Sequence, residues 1–322
     1  MRFGYIDVES SRISALESES MPSSDVVEQE IAAMAFVHQR AGGPLKAHPL
    51  NAEDEAEVLA FLAVRPVHTV FISGFIHDNG LDSPLNRGKF FGCRNAKGEL
   101  EGVALIGHCT LVEARKESAL AAFARLAQDC PFAHMILGEG EKVAAFWNYF
   151  AKSGRTQRRV CRQLMFEQQT SIGQLEPFVG LRLATPDDLP IILPVYAEMV
   201  SQESGVSPLE VDPIGFEKRW MRRVDQDRIW VSIDNGHLMF NAAIMSETPD
   251  VIYLEGIYVN PEDRGRGLGV RCLSQLSSDL LLRAKSLCLL VNEQNQKARA
   301  FYEKAGYRLC GYYDSIFLHP KG

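Results

Sequence analysis

The sequence has no long uninterrupted apolar run. Its most apolar segments, GVALIG and LLLRAKSLCLLV, are short or broken by charge, whereas a membrane-spanning helix needs about 20 apolar residues. The N-terminus, MRFGYIDVESSRISALESES, also lacks the basic start and apolar centre of a signal peptide. These absences predict a cytoplasmic protein that does not associate with membranes.

Closely spaced cysteine pairs are absent as well. The seven cysteines lie far apart, and no C-x-x-C pair occurs among them. This spacing argues against a disulfide framework or a zinc ribbon. We interpret the cysteines as small buried apolar residues and expect no bound metal.

An excess of positive charge is also missing. The chain carries 34 Lys and Arg against 41 Asp and Glu, a formal charge of -7, which argues against a protein built to coat nucleic acid. The basic run Lys152, Arg155, Arg158, Arg159 and Arg162 is interpreted as a solvated face or a domain contact. With 46% hydrophobic residues over 322 positions, the chain is predicted to hold about two globular domains, at roughly 100 to 200 residues each.

The chain contains an internal repeat. Its two openings, LKAHPLNAEDEAEVLAFL and LRLATPDDLPIILPVYAEM, each read as a short strand, a capping residue, an acidic first turn and an apolar helix. Two later segments, HMILGEGEKVAAFWNYFAKSG and CLLVNEQNQKARAFYEKAGY, each read as a buried strand, a turn and an amphipathic helix. We predict a duplicated α/β domain: a partly disordered or helical tail over 1–40, one domain over 41–170 and a second over 171–322, with the boundary in QQTSIGQLEPFVG.

A glycine-rich turn in the second copy carries the strongest functional signal. In VIYLEGIYVNPEDRGRGLG a strand ends at Val259, and glycines follow at 265, 267 and 269. Glycines let backbone N–H groups approach a phosphate at a helix N-terminus, and Arg264 and Arg266 add positive charge. The turn matches neither a P-loop nor a dinucleotide fingerprint.

This turn resembles the Arg/Gln-x-x-Gly-x-Gly/Ala loop of the GNAT family of acetyl-CoA-dependent N-acetyltransferases. The preceding LEGIYV and the following LLVNEQNQKARAFYEKAGYR are similar to the family's neighbouring strands, turn and Tyr-bearing helix, so the resemblance covers about residues 181–318. It implies an α/β fold of two tandem GNAT-like domains. Each would be a mixed, mostly antiparallel sheet flanked by helices, with a splayed pair of parallel strands.

The resemblance also implies a set of cofactor-binding residues. The backbone of Ile257, Tyr258 and Val259 would pair with the pantetheine arm of acetyl-CoA, the co-substrate. Asn292 and Asn295 would line its far side, although both could instead cap the following helix. The pyrophosphate would be held by Arg264, Gly265, Arg266, Gly267, Leu268 and Gly269.

Two side chains are candidates for the chemistry. Tyr302 matches the family's general acid, which protonates the departing CoA thiolate; the alternative is a core tyrosine on the apolar stripe of its helix. Glu255 is the candidate base, because it shares a strand face with Tyr253 and Ile257 and a buried carboxylate needs a reason. The alternative for Glu255 is an ion pair with a nearby arginine.

The acceptor is expected to be an amine of a small molecule or a protein. The segment VSQESGVSPLEVDP carries Glu203, Glu210 and Asp212 and no basic residue, which favours a cationic acceptor, unless these charges only form a solvated face. The implied reaction is direct attack of the amine on acetyl-CoA in a ternary complex. The alternative is a non-catalytic acyl-CoA sensor or interaction module, and homo-oligomer formation stays open.

The first copy is expected to be degenerate. Aligning Phe146 with Phe301 places Trp147 opposite Tyr302, and an indole N–H is too weak an acid to replace a phenol. The segment opposite the phosphate loop, CTLVEARKESALAAFARLAQDC, has no glycine. We therefore expect the first domain neither to bind CoA nor to transfer acetyl groups.

Overall fold

The computed structural model describes residues 45–173 and 178–320. The predicted tail over 1–40 and part of the predicted domain boundary lie outside these residues. The helices are α1 (Glu55–Leu62), α2 (Pro66–Asn79), α3 (Glu117–Ala127), α4 (Gly140–Phe150), α5 (Leu189–Ser204), α6 (Pro208–Val211), α7 (Pro213–Asp225), α8 (Leu268–Leu280) and α9 (Gln296–Lys304). No described helix is long and apolar enough to cross a membrane.

All described strands join one sheet. In chain order they are β1 (Ala47–Pro49), β2 (Gly88–Arg94), β3 (Leu100–Gly107), β4 (Cys109–Ala114), β5 (Met135–Glu139), β6 (Gln157–Gln168), β7 (Leu181–Leu183), β8 (Ile229–Asp234), β9 (His237–Glu247), β10 (Val251–Val259), β11 (Ser286–Asn292) and β12 (Arg308–Leu318). Their order across the sheet is β1-β2-β3-β4-β5-β12-β6-β11-β10-β9-β8-β7. Each half contributes one parallel pair, β4–β5 and β10–β11, and the other neighbours are antiparallel. The predicted mixed, mostly antiparallel fold is therefore confirmed.

The structure contains the helix starts that the two opening segments predict. The Asn51 side chain accepts from the Glu53 amide at 2.8 Å, and Asp54 reaches back to the Asn51 amide at 3.0 Å. In the second opening the Asp188 carboxylate accepts from the Thr185 amide at 2.8 Å. These reciprocal bonds satisfy amide groups that a helix start leaves unpaired, so both copies begin with the same local device.

We call residues 45–173 the first half and residues 178–320 the second half. The two halves exchange their last strands. β6 lies between β12 and β11, although β6 precedes the connection between the halves, and β12 lies between β5 and β6. Phe166 of β6 is opposite Leu289, and Ile316 of β12 is opposite Ile136. Each half therefore needs the other to complete its sheet.

Side-chain packing follows the same exchange. The core of the first half, built around Phe91, Phe123 and Phe146, includes Ile316 and Leu318 from β12. The core of the second half, around α8 and α9, includes Leu164 and Phe166 from β6. The halves thus share buried apolar surface as well as backbone hydrogen bonds.

We expect the exchange to make unfolding cooperative across the whole chain. Ile316, 5% exposed, packs in the core of the first half although it lies near the end of the chain. Ile316→Ala should lower stability by about 2 to 5 kcal/mol, as for other buried Ile truncations, and should do so in one thermal transition.

The matched control is Tyr312→Ala on the same strand, since Tyr312 is 65% exposed. Calorimetry should show little change for that variant. Two separate transitions, with only one shifted by Ile316→Ala, would contradict a shared core.

Candidate active site

A cleft opens where the parallel strands β10 and β11 separate. Residues Val251–Leu254 of β10 pair with Ser286–Leu289 of β11. Beyond these pairs β10 continues to Val259 and β11 to Asn292. The edge of β10 that faces β11 therefore has no strand partner beyond Leu254 within the described sheet. An unpaired edge of this kind can pair with an extended ligand.

A β-bulge lies at the mouth of this cleft. On the β9 side, Glu255 pairs with Ala243 but the next pair is Tyr258 with Asn241, so β10 contains one extra residue. The bulge is centred on Gly256, whose φ of +63° favours glycine. The Asn241 amide donates to the Gly256 carbonyl at 2.7 Å and fixes this geometry.

The bulge changes which side chains share a face. Tyr253 still lies beside Glu255, and its hydroxyl hydrogen-bonds the carboxylate. Ile257, however, packs with Ile252 and Leu254 in the cluster around α8 and α9. The predicted shared face of Glu255 and Ile257 is therefore wrong, because the extra residue at the bulge reverses the alternation after Gly256.

The predicted phosphate loop forms one exposed turn between β10 and α8. Gly265 and Gly267 have φ values of +80° and +78°, and a Cβ on either would meet no atom within 4 Å. Gly267 is the N-cap of α8, and no side chain caps this helix. Uncapped first-turn amides beside open space suit an anion.

Other loop residues hold this turn in place. The Arg264 Nε donates to the Val259 carbonyl at 2.9 Å. A Cβ on Gly269 would come within 2.6 Å of Val259 and 3.1 Å of Phe301, so this glycine allows close packing. The six predicted pyrophosphate residues are thus brought together, and their contact with a cofactor stays a prediction.

Sequence reasoning missed a second set of loop supports. Asn260 donates to the Leu238 carbonyl at 3.0 Å and accepts from the Glu262 amide at 3.1 Å. His237 is 2.8 Å from the Asp263 carboxylate. The Asn260-Pro261 pair is a sequence signal for such a turn, whereas the contact with His237 depends on the sheet.

The two predicted cofactor-side asparagines both bond to backbone. The Asn295 side chain is the N-cap of α9 and accepts from the Ala298 amide at 3.1 Å. The Asn292 side chain, at the end of β11, accepts from the Gln294 amide at 2.9 Å. The capping alternative thus describes Asn295, while a role for either residue toward the cofactor stays a prediction.

Tyr302 lies on the buried face of α9. Its side chain is 8% exposed, and its ring lies 5.2 Å from Phe301, 6.1 Å from Tyr307 and 6.3 Å from Phe166 between centroids. Burial raises the pKa of the Tyr302 phenol above its usual value. The phenol therefore keeps its proton, as a general acid must before it donates.

Glu255 is held in an environment that favours its neutral form. Burial is the main cause that raises the pKa of Glu255 to about 7, and the nearby Glu203 carboxylate raises it further. The Arg223 guanidinium and the Tyr253 hydroxyl oppose this rise in the pKa. A carboxyl group that titrates near neutrality is suited to accept a proton at physiological pH.

The structure brings further groups to Glu255 that the sequence did not indicate. Tyr196 of α5, 2% exposed, stacks on Trp220 of α7 at 3.5 Å between ring centroids. Its ring also contacts the site that a side chain on Gly256 would occupy. Within the described residues the Tyr196 hydroxyl has no hydrogen-bond partner, so it is available to a bound molecule near Glu255.

The three acidic residues of the predicted acceptor segment have separate roles. Glu203 is half-buried and lies toward Glu255. Asp212 caps α7 through the Gly215 amide at 2.9 Å and pairs with Arg219 at 2.9 Å. Glu210 is exposed. The acidic segment as a whole therefore does not line the site, and Glu203 is its contribution.

In the first half the parallel strands also separate, but ion pairs occupy the space between them. β4 and β5 pair only over 109–111 and 135–137. Glu113 lies two positions after the last paired residue of β4, and Glu255 lies one position after that of β10. Lys142 binds Glu113 at 2.6 Å and Glu139 at 2.8 Å, and Arg65 binds Glu139 at 2.6 Å. These mutually satisfied ion pairs close the cleft.

The first half also lacks a counterpart of the phosphate loop. Only Arg115 and Lys116 separate β4 from α3, whereas residues 260–267 separate β10 from α8. Trp147 lies half-buried on α4, beside the buried Phe146. Within the described residues, no group of three or more His, Cys, Asp or Glu side chains could hold a metal ion.

Comparisons with known proteins agree with this geometry. The FR47-like protein family model matches residues 238–314, which include the bulge, the loop and α9. A probable N-acetyltransferase of Mycobacterium tuberculosis is 26% identical over 151 residues, 41% of this chain and 82% of that protein. These matches support the assignment of the chain to the GNAT family.

A shorter match links this chain to a peptidyl-lysine N-acetyltransferase of Salmonella typhimurium, with 34% identity over 59 residues. That match covers 18% of this chain and 38% of the Salmonella protein. The identity is therefore confined to a short segment, and it does not identify the acceptor.

Solved structures support the fold over most of the chain. A Drosophila protein matches with a TM-score of 0.63 and 13% identity over 87% of this chain and 100% of its own. A tandem GNAT protein from the clavulanic acid biosynthesis pathway matches with a TM-score of 0.52 and 14% identity, over 85% and 98% of the two chains. At such identities the likeness shows the fold alone.

We expect Glu255 to make stability depend on pH. Its carboxyl group binds a proton up to about pH 7 in the folded chain but only to about pH 4.3 when unfolded. Stability should therefore fall as pH rises through this window, because a charged carboxylate becomes buried. Glu255→Gln should be more stable than the wild type near pH 8, by up to about 3 kcal/mol, and similar near pH 5.

Urea unfolding at the two pH values measures this difference. The exposed Glu210→Gln is the matched control and should show no pH-dependent gain in stability. An equal effect of Glu255→Gln at both pH values would show that Glu255 titrates in the ordinary range.

Proposed function

We propose that this chain is an acetyl-CoA-dependent N-acetyltransferase whose active site lies in the second half. The observation that carries the proposal is the adjacency of three features on β10: an unpaired strand edge, an uncapped glycine-rich turn and the buried carboxyl group of Glu255. The names of the curated relatives, both N-acetyltransferases, support the same reaction class.

The residues present fit acetyl-CoA. The first-turn amides of α8, with Arg264 and Arg266 nearby, would hold the pyrophosphate. The free edge of β10 over Ile257–Val259 would pair with the amides of the pantetheine arm, since the other edge of this segment is occupied by β9. Acetyl-CoA supplies the activated acetyl thioester.

The acceptor must lose a proton before it reacts. An alkyl ammonium is almost fully protonated at neutral pH, so its attack requires a base. Glu255 has a carboxyl group that titrates near neutrality, and it would take this proton directly or through water. The free amine nitrogen then attacks the acetyl carbonyl carbon in a ternary complex, with the carbonyl oxygen held by backbone N–H near Ile257.

The reaction ends with cleavage of the carbon–sulfur bond. The sulfur leaves as the CoA thiolate, and the Tyr302 phenol would protonate it. Tyr302 keeps its proton when buried, and its helix follows directly on β11, the other wall of the cleft. After attack the nitrogen carries a positive charge, and it loses a second proton, which returns through water to the Tyr302 phenolate as the neutral amide forms. Glu255 thus acts as the proton acceptor and Tyr302 as the proton donor.

A second candidate is an acyl-CoA sensor without turnover. The observation that favours it is the packing of Tyr302, whose ring lies among Phe166, Phe301 and Tyr307 as a core tyrosine would. The environment of Glu255 favours the enzyme, because a sensor has no need for a carboxyl group poised near neutrality.

We propose that the first half neither binds acetyl-CoA nor transfers acetyl groups. Its cleft is filled by the ion pairs of Arg65 and Lys142 with Glu113 and Glu139, and its β4–α3 connection is too short to surround a pyrophosphate. The first half instead completes the sheet of the second through β6.

We expect the full chain to bind one acetyl-CoA, and Gly267→Val to bind none. Gly267 has a φ of +78°, which a β-branched residue rarely adopts, and its Cβ would enter the open space in front of the α8 amides. Calorimetry gives both affinity and stoichiometry. Asn235→Ala, on an exposed turn of the same half, is the control that should bind normally.

The stoichiometry also tests the first half. Two acetyl-CoA per wild-type chain, of which one remains in a folded Gly267→Val variant, would show that the first half holds a cofactor. Unchanged affinity would refute the loop assignment.

We expect Tyr302→Phe to keep acetyl-CoA affinity while lowering turnover about 10- to 1,000-fold, the range for losing one acid–base group. Phe preserves the packing against Phe166 and Phe301. Release of free CoA thiol against a panel of amines measures turnover. Tyr307→Phe, which removes a neighbouring buried hydroxyl bound to Ser277, is the control. Normal turnover by Tyr302→Phe would identify Tyr302 as a core residue.

A further inference from the structure

A glutamine of the first half reaches the active site of the second. Gln163 lies on β6, where it is opposite Asn292 of β11 on one side and Tyr313 of β12 on the other. Its side chain is 8% exposed. The strand exchange is what brings a residue of the first half to this position.

Both ends of the Gln163 amide are hydrogen-bonded. Its Nε2 donates to the Glu203 carboxylate at 2.9 Å, and its Oε1 accepts from the Ser315 hydroxyl at 2.8 Å. The Glu203 carboxylate fixes which end of the amide faces it, because a flipped amide would present an oxygen to a carboxylate, and the Ser315 hydroxyl donates to the other end. Two strands of the sheet thus hold one carboxylate of α5.

The location of Glu203 is unfavourable unless this contact is made. Glu203 precedes the last residue of α5, where the helix dipole disfavours negative charge. It is also half-buried, and burial raises the pKa of its carboxyl group, whereas the bond from Gln163 and the Arg159 guanidinium lower this pKa. Placing a carboxylate here is unfavourable, and a residue of the first half binds it specifically. Glu203 is therefore expected to have a function.

The Glu203 carboxylate raises the pKa of Glu255, the residue proposed as the base. The titratable and charged groups near Glu255 come from four elements. They are Tyr253 of β10, Glu203 and Tyr196 of α5, Arg223 of α7 and Cys109 of β4. Of these, Glu203 is the one whose negative charge opposes ionisation of Glu255. The position of the Glu203 carboxylate therefore matters for when Glu255 can take a proton.

We propose that Gln163 is a positioning residue that the first half contributes to the active site, where it holds the Glu203 carboxylate near Glu255. Its part in acetyl transfer rests on the proposed function. The coupling of Gln163 to Glu255 through Glu203 does not, since it can be measured without cofactor or acceptor.

The test is a titration of the Glu255 carboxyl group in the full-length chain. Isotope-labelled glutamate is followed by NMR from about pH 5 to about pH 9, and Glu255→Gln identifies the signal. Glu203→Gln should lower the midpoint of Glu255 by about one pH unit, because a negative neighbour is removed.

Gln163→Met keeps the length of the side chain but removes the donor. It should lower the Glu255 midpoint in the same direction, because Glu203 then ionises less readily and moves away. In the Glu203→Gln background, Gln163→Met should produce no further shift, which is the signature of an effect transmitted through Glu203. Ser315→Ala should give a smaller shift of the same sign, and it serves if Gln163→Met does not fold.

The control is Gln169→Leu, an exposed glutamine just after the same strand, which should leave the midpoint unchanged. Additive shifts of Gln163→Met and Glu203→Gln in the double variant would overturn the proposal, as would an unchanged midpoint in either single variant. Loss of acetyl-CoA binding tests the proposed function separately, so the two failures are distinguishable.

Discussion

The exchange of β6 and β12 between the two halves holds one wall of the candidate site in place. Where the parallel strands β10 and β11 separate, their facing edges lose each other as partners, and each strand keeps only its outer neighbour, β9 or β6. In the second half β11 is held by β6 over six residue pairs, from Leu287–Gln168 to Asn292–Gln163. The first half thus supports one wall of the cleft directly.

The other wall depends on glycine at one position. Gly256 allows β10 to bulge, and the Tyr196 ring packs where a side chain would otherwise stand. The bulge leaves Glu255 on the side of Tyr253 and Tyr196 and directs Ile257 to the opposite face. Glu255, the unpaired strand edge and the glycine-rich turn then follow one another along β10 and the loop after it, so their relative positions are set mainly by local geometry.

Features encoded by consecutive residues could be predicted, and features that depend on distant pairing could not. The capping residues Asn51 and Thr185 and the glycine turn follow from short patterns. The contact of Gln163 with Glu203 joins residues 40 apart, and it exists only because β6 crosses to the other half. The bulge was missed because strand alternation assumes a strict period of two, which one additional residue reverses.

The two halves share one strand arrangement but differ in the side-chain charges between the separated strands. Both contain a parallel pair that separates after a few residues, with a glutamate one or two positions beyond the last paired residue. Glu113 is matched by the cations Arg65 and Lys142, so its charge is satisfied and the cleft is filled. Glu255 faces a second carboxylate, and burial with this like charge keeps its pKa near neutrality. The two sites therefore differ in the charges beside their glutamates: cations alone pair with Glu113, whereas both a carboxylate, Glu203, and a guanidinium, Arg223, act on Glu255.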